Sequence, residues 1–302
     1  MTETTSMRTP RIACCNFIAD VHELKEFALR HRFAGVDWTF TMERLPRTPR
    51  EESSLVQTIS KLHPLEVRYH CALSRVDVGD LEMERAEKAL ELLRRVCRLV
   101  SKVGGKFLTI HVGLGLDSTN GLSWEGTVDR LALLVRLGNE AGVRLCLENL
   151  AWGWTSRPEL YEKLIRKSGC WGTFDVGHAQ VSPSVATQQY RVDDFVSPHA
   201  DRFLNAHIYH AEDGGRHLSP ASLNDLEERL QLVRRLPHCD WWVLELREER
   251  TLLETLACVR EFLSSEPVAR TSRSSGGKLT VWQAVETLCW QPRRAHGRPG
   301  GL

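Results

Sequence analysis

VRLCLEN (143–149) is a near-continuous apolar run that closes on a carboxylate, Glu148. A strand apolar on both faces is covered on both sides, as in a parallel sheet wrapped by helices. The same design recurs along the chain. Upstream, LEVRYH (65–70) closes on His70 and FLTIH (107–111) on His111. Downstream, WGTFD (171–175) closes on Asp175, FLNAH (203–207) on His207 and WWVLE (241–245) on Glu245. The gaps between these six residues are 41, 37, 27, 32 and 38 positions, each about one strand, loop, helix and return. Polar residues at the C-terminal ends of successive parallel strands meet on one face of a barrel.

Eight strand-then-helix units are legible. Strands are expected at 11–17, 35–40, 65–71, 106–112, 143–149, 170–176, 203–210 and 241–247. Helical periodicity is clearest over 81–103, where Leu81, Ala86, Leu90, Leu93, Val96, Leu99 and Val100 form one stripe. Further helices are expected at 124–141, 221–235 and 250–263. Gly104, Gly105 and Gly142 stand where helices should stop. The pattern predicts an α/β chain, a (β/α)8 TIM barrel, over residues 1–264, with a doubly wound sheet as the lesser alternative. Residues 265–302 read as a short C-terminal extension: a polar linker, a short amphipathic segment at 279–290 and a disordered basic tail. That extension is expected to pack outside the barrel or to mediate contacts in a homo-oligomer.

Forty basic and 39 acidic side chains give a net charge of +1, which argues against a dedicated nucleic-acid partner. No apolar run approaches the roughly 20 residues of a membrane span, and the N-terminus has no apolar signal region. The expected location is cytoplasmic. Nine cysteines form no CxxC pair; Cys14, Cys15, Cys71, Cys97, Cys146 and Cys258 read as small hydrophobes in strands or helices rather than a disulfide framework.

The chemistry is in the strand ends. Glu148, Asp175, His207 and Glu245 close four consecutive strands, and three carboxylates with one imidazole suit a divalent metal: Mn2+, Zn2+, Co2+ or Mg2+. Single carboxylates at strand ends often cap helices, but four in succession in a buried barrel are costly without a metal or partners. His70 and His111 extend the set towards a second ion bridged by Glu148, or contact substrate. His178 follows Asp175 as Asp-Val-Gly-His, where it faces substrate or a further metal. The loop HIYHAEDGGRHLSP carries His210, Asp213, Arg216 and His217: Arg216 suits a hydroxyl or phosphate clamp, and His217 a metal shared with His178. Solvated loop residues are the plain alternative. Trp38, Trp152 and Trp154 offer aromatic faces for a sugar ring, or pack in the core.

RYHCALSRVD, KFLTIHVGLG, RLCLENL, GTFDVGHA, NAHIYHAEDGGRHLSP and WVLELRE, in this order, resemble the xylose isomerase-like TIM barrel superfamily over about residues 11–263. That superfamily contains sugar and sugar-phosphate isomerases and epimerases, and endonuclease IV. In epimerase-like members the resemblance implies one ion on Glu148, Asp175, His207 and Glu245. Glu148 and Glu245 are then the catalytic acid and base, and His178 and Arg216 contact the substrate; Trp38 and His210 are further substrate-binding candidates. In endonuclease IV-like members it implies one zinc on His70, His111 and Glu148, a second on the quartet, and a third on His178 and His217. The chain departs from the latter pattern. Gly215 stands where the third zinc's carboxylate belongs, the Gly-Glu-Gly after that histidine is missing, and His210 replaces a common aspartate.

The resulting expectation is a metal-dependent isomerase or epimerase with one or two ions. It would act on a sugar or related hydroxy-carbonyl molecule through proton abstraction and a metal-stabilised enediolate. The alternatives are an endonuclease IV-like phosphodiester hydrolase acting on abasic DNA, and a specialised biosynthetic or ligand-binding barrel on the same site.

Overall fold

The structure, a computed structural model, describes residues 9–265; the expected linker, helix and tail beyond them lie outside the described residues. The strands are β1 (Arg11–Cys15), β2 (Gly35–Phe40), β3 (Glu66–Cys71), β4 (Phe107–Ile110), β5 (Arg144–Glu148), β6 (Trp171–Asp175), β7 (Phe203–Ile208), β8 (Ala211–Asp213), β9 (Arg216–Leu218) and β10 (Trp241–Leu244). The helices are α1 (Val21–Arg30), α2 (Pro49–Ser60), α3 (Met83–Lys102), α4 (Trp124–Glu140), α5 (Pro158–Ser168), α6 (Val176–Val181), α7 (Pro183–Ala186), α8 (Glu227–Arg234) and α9 (Glu249–Ser265). Eight strands close a barrel in the order β1-β10-β7-β6-β5-β4-β3-β2, and every neighbouring pair is parallel. This is a (β/α)8 TIM barrel, and the doubly wound alternative is excluded.

Period-two alternation sorts the strand residues. Outward residues such as Val36, Tyr69, Leu108, Leu147, Phe174 and Trp242 join the large core shared with the helices, while Ala13, Trp241 and Val243 form a separate small cluster inside the barrel. Stacked above one another within the barrel are Arg68 and Trp241, then Thr109, Thr173 and Asn205, then the acids and histidines. Thr109 and Thr173 share a hydroxyl hydrogen bond of 2.9 Å across the interior, and Asn205 Nδ2 donates to Thr173 Oγ1 at 3.2 Å.

Arg68 closes the floor. Its buried guanidinium donates to the Asn205 side chain, to Leu204 O and to Asp240, and lies over the rings of Phe107 (4.1 Å) and Trp241 (4.7 Å). Gly35 admits Trp241: a Cβ there would stand 2.5 Å from the indole Cη2 and 2.1 Å from Glu66 O.

Three expectations are corrected. Strand pairing ends at Ile110 and Leu244, one residue before His111 and Glu245, although both side chains still line the cavity. Leu81 precedes α3 and is exposed, so it is not part of the apolar stripe. The loop after β7 is not irregular: β8 and β9 form an antiparallel hairpin whose two-residue turn, Gly214–Gly215, has positive φ at both positions (+57° and +79°). The eight cysteines among the described residues are free, and all but Cys258 are buried.

Replacing Arg68 by Met should strand Asn205 Oδ1 and Leu204 O and cost about 3 kcal/mol of stability. A thermal melt of the metal-free protein should read this as a midpoint several degrees lower, whereas an unchanged midpoint would show that the floor network is neutral.

Candidate metal centre

The C-terminal ends of the strands enclose a cavity of about 660 Å³, lined by His70, His111, Glu148, His178, Glu212, Arg216, His217, Glu245 and Arg247 among others. A larger cleft of about 1280 Å³ lies at the opposite end, around Arg68 and Asp240. The clusters with metal-ligand geometry found among the described residues all involve the strand C-termini, not that cleft.

Glu148, Asp175, His207 and Glu245 each offer one atom within 4.8 Å of the others, and all four are buried. His207 Nδ1 lies 3.0 Å from Glu148 Oε1, 2.9 Å from Glu245 Oε2 and 3.9 Å from Asp175 Oδ2. Asp175 divides its oxygens. Oδ1 accepts the backbone N–H of His178 (2.7 Å) and caps α6, while Oδ2 has no hydrogen-bond partner. Helix capping therefore explains only one of the two oxygens. Asn149, which no sequence pattern singles out, fixes this residue: its side chain accepts from Asp175 N and donates to Asp175 O, both at 2.9 Å.

A second group shares Glu148. His70, His111 and Glu148 also offer atoms within 4.8 Å of one another. His70 Nε2 and His111 Nε2 stand 3.1 Å apart, and Glu148 Oε2 lies 3.3 Å and 3.1 Å from them. Yet Oε2 makes no contact of hydrogen-bond geometry. His111 Nδ1 donates to Cys71 O at 3.2 Å, which turns its Nε2 towards His70 and Glu148. Two imidazole nitrogens and a carboxylate oxygen without a hydrogen bond, aimed at one point, fit a cation.

His178, one helical turn after Asp175, donates from Nδ1 to Asn149 O (3.0 Å) and lies 3.0 Å by Nε2 from Glu212 Oε2. Glu212 is absent from the sequence-based candidates. It stands opposite His217 in the hairpin register, and a carboxylate thus reaches the histidine pair by a different path from the one that ends at Gly215. The Asp-Gly-Gly turn is the signal for the hairpin that carries it. His217 donates from Nδ1 to Glu245 O (2.6 Å) and stacks on Tyr209, with ring centroids 3.8 Å apart. Gly177 makes room for the Tyr209 ring, since a Cβ would stand 2.0 Å from it.

Other candidates fall elsewhere. Arg216 is exposed on the cavity rim, and Asp213, its hairpin partner, is exposed and outside the lining. Trp38 alternates with Asp37, so it faces outward and packs in the helix-side core. His210 is held at the hairpin base, its carbonyl accepting from the buried Arg229 at 2.5 Å and its Nδ1 3.2 Å from the same guanidinium. Trp154 packs edge-on against Trp124 at 5.2 Å, and Trp152 covers Gly113.

Charge distribution follows from this geometry. Burial disfavours a charged Glu148, but His207, His111 and His70 hold its pKa well below the carboxylate range. Burial likewise opposes charge on His207, yet Glu148 and Glu245 raise its pKa well above the histidine range. Burial pushes Asp175 up to about 6 against the pull of His178. Burial would lower His178, but Asp175 and Glu212 bring it up to about 10.

A model of the xylose isomerase-like TIM barrel matches residues 26–263. The chain belongs to the xylose isomerase-like TIM barrel family. An uncharacterized protein of Methanocaldococcus jannaschii is 26% identical over 183 residues, 61% of this chain and 77% of its own length. Solved structures share the fold, the following two among them. A D-tagatose 3-epimerase-like protein superposes with a TM-score of 0.65 at 14% identity, covering 84% of this chain and 97% of that one. Endonuclease IV from Thermus thermophilus does so with a TM-score of 0.61 at 19% identity, covering 85% and 100%.

Metal-free His207 carries a proton at neutral pH, and ligation through Nδ1 requires its loss. Calorimetry of Mn2+ binding in buffers of different ionisation enthalpy should show about one proton released per ion at pH 7, with affinity rising as pH rises. Proton-neutral binding with a flat pH profile would contradict this protonation state.

Proposed function

We propose that the protein is a metal-dependent isomerase or epimerase of a sugar or related hydroxy-carbonyl compound, with Glu148 and Glu245 as its acid and base. The observation that carries this reading is the pair of buried carboxylates flanking one nitrogen, His207 Nδ1, at 3.0 and 2.9 Å from separate strands. Such a pair can take a proton from one carbon and deliver one from another direction.

Glu148, Asp175, His207 and Glu245 would hold the ion; the orphaned Asp175 Oδ2 and Glu148 Oε2 support that fit. A divalent cation bound there supplies Lewis acidity, which polarises a carbonyl and an adjacent hydroxyl. Glu148 would remove the proton beside the carbonyl, and Glu245 would pass back to carbon a proton taken up from solvent, or the reverse. His178, held cationic by Asp175 and Glu212, keeps positive charge at the cavity wall, and Arg216 on the rim offers donors to oxygens that gain negative charge. Enclosure makes these interactions stronger than they would be at the surface. The likeness to a D-tagatose 3-epimerase-like protein supports this substrate class.

A second reading is favoured by the His70–His111–Glu148 group, which would hold a second ion beside the first. Two adjacent ions suit phosphodiester hydrolysis, and the chain shares its fold with an endonuclease IV.

Mn2+-loaded protein should exchange solvent deuterium into the C–H beside the carbonyl of at least one member of a ketose panel. Glu148→Gln and Glu245→Gln should each lower that rate by at least about a hundredfold. Full activity in either variant rejects the assigned pair. Nicking of an abasic-site duplex without exchange into any ketose selects the hydrolytic reading.

A further inference from the structure

We propose that Asp37 is a positioning residue, a single buried carboxylate that braces both candidate ligand histidines, His70 and His207, from within the barrel. The inference rests on the metal-centre reading above. Alternation along β2 turns Gly35, Asp37 and Thr39 inward, and Asp37 is only 3% exposed. Thr39 is the register partner of His70, so Asp37 lies one inward step deeper than the ring of ligands.

The buried polar atoms without a hydrogen-bond partner include Asp37 Oδ2, His70 Nδ1 and His207 Nε2. Asp37, His70 and His207 each offer an atom within 4.8 Å of the others, and Asp37 Oδ2 lies 3.8 Å from His70 Nδ1. The two histidines are already committed on their other nitrogens. His70 turns Nε2 to His111 and Glu148, and His207 turns Nδ1 to Glu148 and Glu245. A ring that ligates through one nitrogen carries its proton on the other. Those protons sit on the two orphaned nitrogens, whose cluster partner is Asp37. A buried N–H left unpaired is costly, and an unpaired buried carboxylate more so. A movement of about 1 Å brings Asp37 Oδ2 and His70 Nδ1 to hydrogen-bond distance. Glu245 Oε1, 3.5 Å from His70 Nδ1, is the competing acceptor, but the same carboxylate already engages His207 through Oε2. Asp37 is outside the quartet that would hold the ion, so its Oδ2 is free to serve the histidines instead. A carboxylate that takes the second N–H of a ligand histidine fixes ring orientation, and its loss typically lowers metal affinity ten- to a hundredfold.

The test compares wild-type, Asp37→Asn and Asp37→Glu proteins by chelator-competition titration with Co2+, followed through the visible spectrum, together with melting of the metal-free forms. Asp37→Asn should weaken Co2+ about ten- to a hundredfold and shift its absorption bands while keeping wild-type stoichiometry. Its metal-free midpoint should not fall, because the substituted Oδ2 makes no hydrogen bond that would be lost. Asp37→Glu should recover part of the affinity. Unchanged affinity and spectrum in Asp37→Asn overturn the proposal while leaving the metal centre intact. A loss of one bound ion per chain makes Asp37 a ligand and overturns the bracing role. Absence of Co2+ binding by wild-type protein overturns the metal-centre reading itself, and this proposal with it.

Discussion

Glu148 is 1% exposed and carries its charge inside a protein barrel. An isolated carboxylate in such a place would be neutralised or expelled. Here each oxygen faces histidines: Oε1 meets His207, and Oε2 meets His111 and His70. The residue therefore belongs to both clusters of metal-type ligands, and the strand that carries it, β5, lies between the strands that supply the rest. The fold can be viewed as the means of holding this charge. Parallel strands bring their C-terminal residues to one ring, and the helices and floor make that ring rigid enough for the distances to persist.

That rigidity comes from below and from outside the ring. The floor is a buried guanidinium, Arg68, sandwiched between Phe107 and Trp241 and bonded to Asn205. Asn205 and Thr173 connect it upward towards Asp175 and His207 on the same two strands. Beside the ring, Asn149 clamps the backbone of Asp175, and Arg229 ties the hairpin base to Val176. Tyr209, in the space left by Gly177, supports the face of His217. Asp77 joins two further rim loops by accepting from Gly79 and Gly113. These residues lie behind the ligand ring, yet they set the orientation of the side chains that form it.

The ring itself is legible in the sequence because each of its members ends a near-continuous apolar run, and runs of that kind repeat at the length of a βα unit. His70, His111, Glu148, Asp175, His207 and Glu245 consequently fall where they are expected. Asp37 is not legible. It lies in the middle of GVDWTF, and only the barrel's closure shows that its side of the strand faces His70. Trp38, its neighbour, is left open from sequence between pocket wall and core, and strand parity places it in the helix-side core. Glu212 is obscured by the composition of the segment that carries it. AEDGGRHL has the composition of a solvated loop, although two consecutive glycines between short segments are compatible with a tight hairpin. Pairing across that hairpin sets Glu212 opposite His217 and carries Asp213 away from the cavity. A glycine at 215 in place of a carboxylate therefore does not leave the two histidines without an acidic neighbour, which weakens the sequence-level contrast with the endonuclease pattern.

One claim underlies the rest: the strand-end quartet exists to hold a divalent ion. Anomalous diffraction at the metal edge, from crystals grown with Mn2+ or Zn2+, tests it most directly. The expected result is a peak at about 2.0–2.3 Å from donor atoms of Glu148, Asp175, His207 and Glu245. No peak among these four residues in fully loaded crystals, or an ion held only by other side chains, would contradict it.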